Sequence, residues 1–157
     1  MNFPYSDVDV GYWTGMEQED MERWFWLGME QEQAGQLDKA QDSYLRMFTI
    51  AAMLGNDLAV ALSLMKKGDV HFKQRKVQDA EKAYIKALEI SWKIGIVPSM
   101  AICYYNLIPI FETLGNIREA KDACQQAIYS YNLLGEHECV EDACAYLKYL
   151  QSTYPCG

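Results

Sequence analysis

The sequence predicts an all-α fold of stacked helix pairs, and three observations carry that prediction. One motif occurs three times, as QLDKAQDSYLRMF, KVQDAEKAYIKAL and NIREAKDACQQAI, with each copy starting 40 residues after the last. Within each copy, apolar residues recur at the spacing of one helix face. Glycines also lie in register after the copies, at Gly55, Gly95 and Gly135. Because no single unit can bury its apolar face alone, the units must stack into a solenoid.

Seven helices are predicted in chain order. They span 15–34, 37–54, 57–74, 77–94, 98–114, 117–134 and 138–152. They form one repeat domain, 15–152, with units 21–60, 61–100 and 101–140 and a capping helix at 138–152. An N-terminal arm, 1–14, and a tail, 153–157, lie outside it. The arm has little periodicity, and we expect it to be disordered or to dock elsewhere.

Start signals support several of these boundaries. Asn56 precedes Asp57 as an N-cap residue would, and Pro98 suits the first turn of a helix. Two pairs have the spacing of capping boxes, Thr14 with Glu17 and Asn116 with Glu119.

The two helices of a unit are predicted to pack closely. Counted from residues 21, 61 and 101, position 8 is glycine in units one and two (Gly28 and Gly68), which lets backbones approach. Position 15 is glycine in units one and three, where it supplies the positive φ that ends a helix. Three residues depart from this pattern: Arg75 at position 15 of unit two, and Ile108 and Cys124 at positions 8 and 24 of unit three.

Composition excludes several classes of function. The formal net charge is −8, from 22 acidic and 14 basic residues. This charge argues against nucleic acid and against anionic membrane surfaces as partners. With no secretory signal and no apolar run of membrane-spanning length, we expect a cytoplasmic protein. The five cysteines are an odd number and cluster in the last third, which favours reduced thiols over a disulfide framework.

The units resemble the tetratricopeptide repeat. They carry alanine at position 20 in all three units and at position 27 in units two and three, with tyrosine at position 24 in units one and two. Unit one also has Trp24, Leu27 and Gly28, and unit two has Gly68-Asp69 and the segment YIKALEI. The 40-residue unit is similar to the long repeats of kinesin light chains and of bacterial peptide-sensing regulators. The resemblance implies a right-handed α-α superhelix of three helix pairs plus a C-terminal capping helix; HEAT or armadillo repeats, with units of about 40–47 residues, are the alternative.

Catalytic and cofactor motifs do not emerge from the sequence. We find no phosphate-binding glycine loop, zinc-protease helix or nucleophile elbow, and predict neither an enzyme nor a cofactor. His71 falls in a slot that is usually packed between helices. His137, Cys139 and Cys144 lie within eight residues. Four residues separate the two cysteines, which lie five positions apart along a helix and do not share a face, so small buried thiols are favoured over a metal site.

The resemblance also implies a binding surface. In this family, positions 2, 5, 6, 9, 12 and 13 of each first helix usually line the concave groove. The predicted groove residues are Phe25, Trp26, Met29, Glu32, Met65, Lys66, Asp69, Phe72, Lys73, Tyr105, Asn106 and Glu112. Family members that bind acidic chaperone tails use a lysine and asparagine clamp. Phe25, Met29 and Ile102 occupy clamp positions here, so that ligand is disfavoured.

The groove composition predicts the kind of partner. Its aromatic and methionine side chains suit an apolar peptide or an amphipathic helix of another protein. Lys66, Lys73, Glu32 and Glu112 would set the register of that segment. The predicted function is therefore a non-catalytic interaction module: an adaptor, a chaperone or a regulator.

Two alternatives stay open at this level. In the first, Trp13, Trp24 and Trp26 form an apolar end face through which the chain self-assembles, for example as a homodimer. In the second, which has less support, the Cys- and His-rich C-terminal segment binds a metal or forms an enzymatic site.

Overall fold

The structure, a computed structural model, describes residues 15–156 and the side chains of residues 19–156. Within these residues the chain forms seven α-helices and no β-strand. They are α1 (Gly15–Gln33), α2 (Leu37–Met53), α3 (Asp57–Lys73), α4 (Val77–Ile94), α5 (Val97–Thr113), α6 (Ile117–Leu134) and α7 (His137–Thr153). Each end lies within one residue of its predicted position. The arm 1–14, which includes Trp13, and the proposed capping box of Thr14 and Glu17 lie outside the described residues and side chains.

One predicted N-cap is confirmed and one is wrong. The Asn56 side chain accepts a hydrogen bond of 2.8 Å from the Ala59 amide, so it caps α3. Asn116 does precede α6, but its side chain makes no capping hydrogen bond. Its ψ is 67°, against 90° at Asn56, so the backbone is not in the extended conformation that turns a cap side chain onto the first turn.

A left-handed residue follows every helix from α1 to α6. Five of the six are glycines, as predicted, but the residue after α3 is Arg75, with φ of 61°. The turn closes there as it does elsewhere: the Arg75 amide donates to the Phe72 carbonyl and the Lys76 amide donates to the His71 carbonyl. The paired hydrogen bonds hold a conformation that costs a non-glycine residue roughly 1 kcal/mol.

Consecutive helices pack side by side along the chain. We call α1, α3, α5 and α7 the A helices, and α2, α4 and α6 the B helices. In units one and two a glycine of the A helix faces a tyrosine ring of the B helix. A Cβ atom on Gly28 would lie 2.5 Å from the Tyr44 ring, and one on Gly68 would lie 2.5 Å from the Tyr84 ring.

Unit three reverses the sizes of this pair. Ile108 and Cys124 occupy the two positions, and both are fully buried. A large side chain on the A helix therefore faces a small one on the B helix, which fills a similar volume. The two departures seen in the sequence are one compensated exchange.

The core runs through the whole stack, and charged side chains cover its two ends. A main cluster joins α1 to α5, and a second joins α5, α6 and α7. Helix α7 buries Ala143 and Leu150 toward the core and exposes Glu141 and Lys148. At the other end, the outer side of α1 exposes Arg23 and Glu30. Helix α7 is thus a capping helix.

Candidate functional site

Neighbouring A helices bring side chains together on one side of the molecule. Glu32 of α1 contacts Lys73 of α3, and Glu112 of α5 contacts Tyr146 of α7. We call this surface the A-helix face. By repeat position we assign to it Trp26, Met29, Glu32, Lys66, Asp69, Phe72, Lys73, Tyr105, Asn106, Pro109, Glu112, Tyr146 and Tyr149. Ten of the twelve predicted groove residues fall at these positions, and their role in binding stays a prediction.

The other two predicted groove residues, Phe25 and Met65, are core residues. Phe25 is 1% exposed and Met65 is 2% exposed, and both belong to the main core cluster. Neither offers surface to a partner, so assigning them to the groove was wrong. Both occupy position 5 of their units, where the side chain points between helices. The same position in unit three, Tyr105, is half-buried and packs its ring 6.3 Å from the ring of Tyr131.

Apolar side chains of the A-helix face keep part of their surface accessible. Trp26, Met29 and Phe72 are half-buried and pack against the main cluster from outside. The Trp26 ring meets the Phe25 ring edge-on at 5.1 Å, so the buried phenylalanine supports the exposed tryptophan. These three side chains are held by the core, and their remaining surface could contact a ligand without rearrangement.

The N-terminal part of the face carries an ion-pair cluster. It consists of Glu32, Lys66, Asp69 and Lys73, together with the tyrosine hydroxyls of Tyr44 and Tyr84. Lys73 Nζ lies 2.6 Å from Glu32 Oε1, and the Tyr44 hydroxyl donates to Glu32 Oε2 at 2.7 Å. Lys66 Nζ lies 4.0 Å from Glu32 and 3.3 Å from Asp69.

The two carboxylates of this cluster differ in their electrostatics. Burial by itself would raise the pKa of Glu32, but hydrogen bonds from Lys73 and Tyr44 and the charge of Lys66 outweigh it, and the pKa is lowered. Burial dominates at Asp69 and raises its pKa, although Lys66 and the Tyr84 hydroxyl, which donates to Asp69, oppose the shift. Glu32 is therefore firmly ionised, and its charge is compensated from within the chain.

The C-terminal part of the face carries a tyrosine cluster. It consists of Glu112, Tyr146 and Tyr149. The Tyr146 hydroxyl donates to Glu112 Oε2 at 2.6 Å, and the Tyr149 hydroxyl donates to Glu112 Oε1 at 2.9 Å. The rings of Tyr146 and Tyr149 meet edge-on at 5.9 Å. Burial, the bond to Glu112 and its charge raise the pKa of Tyr146, so this hydroxyl stays a donor at neutral pH.

Asn106 takes a different role from its neighbours. Its side-chain amide donates to the Ile102 carbonyl of the same helix at 3.0 Å. That hydrogen bond turns part of the amide back toward α5, so the residue offers less to a ligand than its position implies.

The histidine and cysteine candidates range from buried to exposed. His71 is buried, and burial lowers its pKa, which favours the neutral imidazole, whereas His137 is exposed. Cys124 is buried, Cys139 and Cys144 are half-buried, and Cys156 is exposed. Across the side chains described, no three His, Cys, Asp or Glu residues lie close enough to hold a metal ion. Nor does any helix in the described range have the length and hydropathy to cross a membrane.

Comparisons with known proteins identify the repeat. The family model described as tetratricopeptide repeat matches residues 61–91, which run from the first residue of unit two to three residues before the end of α4. This match supports a tetratricopeptide-type repeat in unit two, whose pattern units one and three share at the same 40-residue spacing. The A and B helices correspond to the two helices of such a repeat.

A solved structure shares the fold. The crystal structure of BtubC (BKLC) from P. vanneervenii is similar, with a TM-score of 0.63 and 18% sequence identity. The match covers 87% of this chain and 65% of BtubC, so the chain spans less than two thirds of that protein. At this identity the likeness concerns the fold alone. No curated protein sequence matches the chain.

Sequence reasoning about tetratricopeptide repeats missed the tyrosines that complete the face. Tyr146 and Tyr149 fall at positions 6 and 9 when the 40-residue count is carried into α7, and both are face positions. The prediction stopped at three units because α7 was treated only as a cap. Tyr44 and Tyr84 occupy position 24, which at the level of sequence supported only the family resemblance, and their hydroxyls reach past the glycines to the A-helix face.

Proposed function

We propose that this tetratricopeptide repeat protein is a non-catalytic interaction module that binds a peptide or amphipathic helix of another protein on the A-helix face. Repeats of this family generally mediate protein–protein interaction. The proposal rests chiefly on the half-buried Trp26, Met29, Phe72 and Tyr105, which give the face a row of accessible apolar side chains on a rigid support. Aromatic and methionine side chains are enriched in the centres of protein interfaces.

The proposed biological role is that of an adaptor, a chaperone or a regulator acting in the cytoplasm. Repeats of this type are generally non-catalytic, and we assign no reaction to the chain. Homotypic end-face stacking has less support, because the described ends expose Arg23 and Glu30 on α1 and Glu141 and Lys148 on α7. Charged side chains on an end face oppose apolar stacking.

The proposal is tested with peptide ligands selected by display against the whole chain. Met29→Lys places a charge among the apolar side chains of the A-helix face. Met53→Lys is the matched control, because Met53 is 82% exposed at the end of α2. We expect Met29→Lys to weaken the selected peptides by at least about tenfold and Met53→Lys to leave them unchanged.

Circular dichroism checks that both variants fold. Equal binding by wild type and a folded Met29→Lys variant would place the ligand site elsewhere and remove the proposal.

A further inference from the structure

Glu112 keeps unused hydrogen-bonding capacity on the A-helix face. Its two oxygens each accept one tyrosine hydroxyl, from Tyr146 and from Tyr149. An ionised carboxylate has about four acceptor sites, so one on each oxygen is still open. Among the side chains of residues 19–156, no lysine or arginine lies within ion-pair distance of Glu112.

The repeat register shows what a carboxylate at this position does elsewhere in the same molecule. Glu32 is at position 12 of unit one, as Glu112 is at position 12 of unit three. Two ammonium groups of the next A helix approach Glu32, Lys66 from position 6 and Lys73 from position 13. After Glu112 the same two positions on α7 are Tyr146 and Thr153. The carboxylate is repeated, whereas its cations are replaced by neutral side chains.

The surroundings of Glu112 favour a positive charge. The rings of Tyr146 and Tyr149, whose hydroxyls hold the carboxylate, meet edge-on at 5.9 Å, and aromatic faces attract ammonium and guanidinium groups. Burial and the charge of Asp142 on α7 raise the pKa of Tyr105, so a further negative charge lies near that tyrosine of the A-helix face. Residues 101–157 contain seven acidic and three basic residues. One of the three, Lys121, donates to the Tyr154 carbonyl at 2.6 Å.

We infer that Glu112, Tyr146 and Tyr149 form a subsite for one lysine or arginine side chain of the bound segment. The inference rests on the proposed function and adds the chemistry of the partner: an apolar segment carrying a cation at its α7 end. The carboxylate provides the counter-charge, and the tyrosine rings contact the alkyl stem and the cationic group. The part of the segment that lies near the ion-pair cluster needs no cation, because Lys66 and Lys73 already compensate the charges of Glu32 and Asp69.

The test is an NMR titration of the whole chain with N-acetyl-arginine amide. Its neutral isostere, N-acetyl-citrulline amide, has nearly the same shape without the charge. We expect arginine amide to shift the ring signals of Tyr146 and Tyr149 saturably, and the citrulline compound to leave them in place. In Glu112→Gln, which keeps an acceptor for the tyrosines, the dissociation constant should rise by at least roughly fivefold.

Glu89→Gln is the control variant. Glu89 is an exposed carboxylate on α4, 3.6 Å from Lys86, and its removal should leave the titration unchanged. Three results each overturn the inference: no response to arginine amide, an equal response to the citrulline compound, or an unchanged affinity in Glu112→Gln.

The outcome separates this inference from the proposed function. If Met29→Lys weakens the display-selected peptides while arginine amide shifts no tyrosine signal, the cation subsite is wrong and the proposed function is retained. If arginine amide binds as expected but Met29→Lys leaves peptide affinity unchanged, the cation subsite is supported and the proposed function is wrong.

Discussion

The two parts of the A-helix face start from the same repeat and compensate their carboxylates differently. In units one and two, the position-24 tyrosines reach across a glycine and donate to acids of their own unit, Tyr44 to Glu32 and Tyr84 to Asp69. In unit three that position is Cys124, which has no hydroxyl to offer, and Glu112 takes its donors from α7 instead. The exchange in the packing beneath the face therefore changes the polar contacts on its surface.

This difference teaches how a repeat can keep its backbone while it varies its surface. The ion-pair cluster is closed within the chain, and it ties α1 to α3. The tyrosine cluster leaves the Glu112 charge open. We expect the first to matter chiefly for stability and the second chiefly for binding.

The largest expected contrast is between two equivalent carboxylate substitutions. Glu32→Gln should lower the free energy of unfolding by about 2.5 kcal/mol, because the side chain is 7% exposed and loses its ion pair with Lys73, although Lys73 is half exposed and Lys66 keeps its pair with Asp69. Glu112→Gln should cost less than about 1 kcal/mol, since no ion pair within the described residues is lost. Urea unfolding of both variants measures the contrast, and equal losses would contradict it.

A smaller effect is expected at the glycine beneath the face. Gly68→Ala should destabilise by about 2 kcal/mol, although alanine is the better helix former, because its Cβ would lie 2.5 Å from the Tyr84 ring. In a Tyr84→Cys background, which copies unit three, the alanine should cost much less. A double-mutant cycle by thermal unfolding checks this, and additive effects would show that the ring is not the obstacle.

Two tyrosine hydroxyls give the next contrast. Tyr84→Phe should destabilise by about 1.5 kcal/mol, because the partly buried Asp69 carboxylate loses a hydrogen-bond donor. Tyr149→Phe removes an exposed hydrogen bond to Glu112 and should cost at most about 0.5 kcal/mol. The urea unfolding midpoints of the two variants measure this difference. A larger loss in Tyr149→Phe than in Tyr84→Phe would contradict the view that the ion-pair cluster contributes more to stability than the tyrosine cluster.

The smallest expected effect concerns pH: the destabilisation caused by Glu32→Gln should depend on it. The folded-state pKa of Glu32 is lowered from its ordinary value of 4.5, so its ionised form stabilises the fold above that value. This contribution disappears as pH falls through the lower folded-state pKa. The difference between wild type and Glu32→Gln should therefore shrink below pH 4.5, and the Glu112→Gln difference provides the comparison. A constant difference down to the acid limit would contradict the ionic role of Glu32.

Much of the fold could be predicted from the sequence, because it depends on local and periodic signals. The 40-residue repeat and the registered glycines placed each helix end within one residue. The capping prediction at Asn116 failed because residue type and spacing do not determine ψ. At Arg75, the turn hydrogen bonds impose a conformation that residue type disfavours.

The candidate site was less predictable, because its contacts cross between units. Position numbers placed Glu32, Lys66 and Lys73 on one face, yet only the structure joins them. The same numbers placed Phe25 and Met65 there, although both are covered by neighbouring helices. A family template records which way a position usually points, but burial at one position depends on the sizes of the side chains around it.

The capping helix has a consequence for the number of repeats. Helix α7 follows the repeat positions of an A helix, and its Ala143 and Leu150 are buried as they would be in the first helix of a fourth unit. It departs from an A helix mainly on its outer side, at Glu141, Lys148 and Gln151, which are all exposed. A further helix packed on this outer side would have to cover these polar side chains, so α7 offers no apolar surface for continuing the stack there.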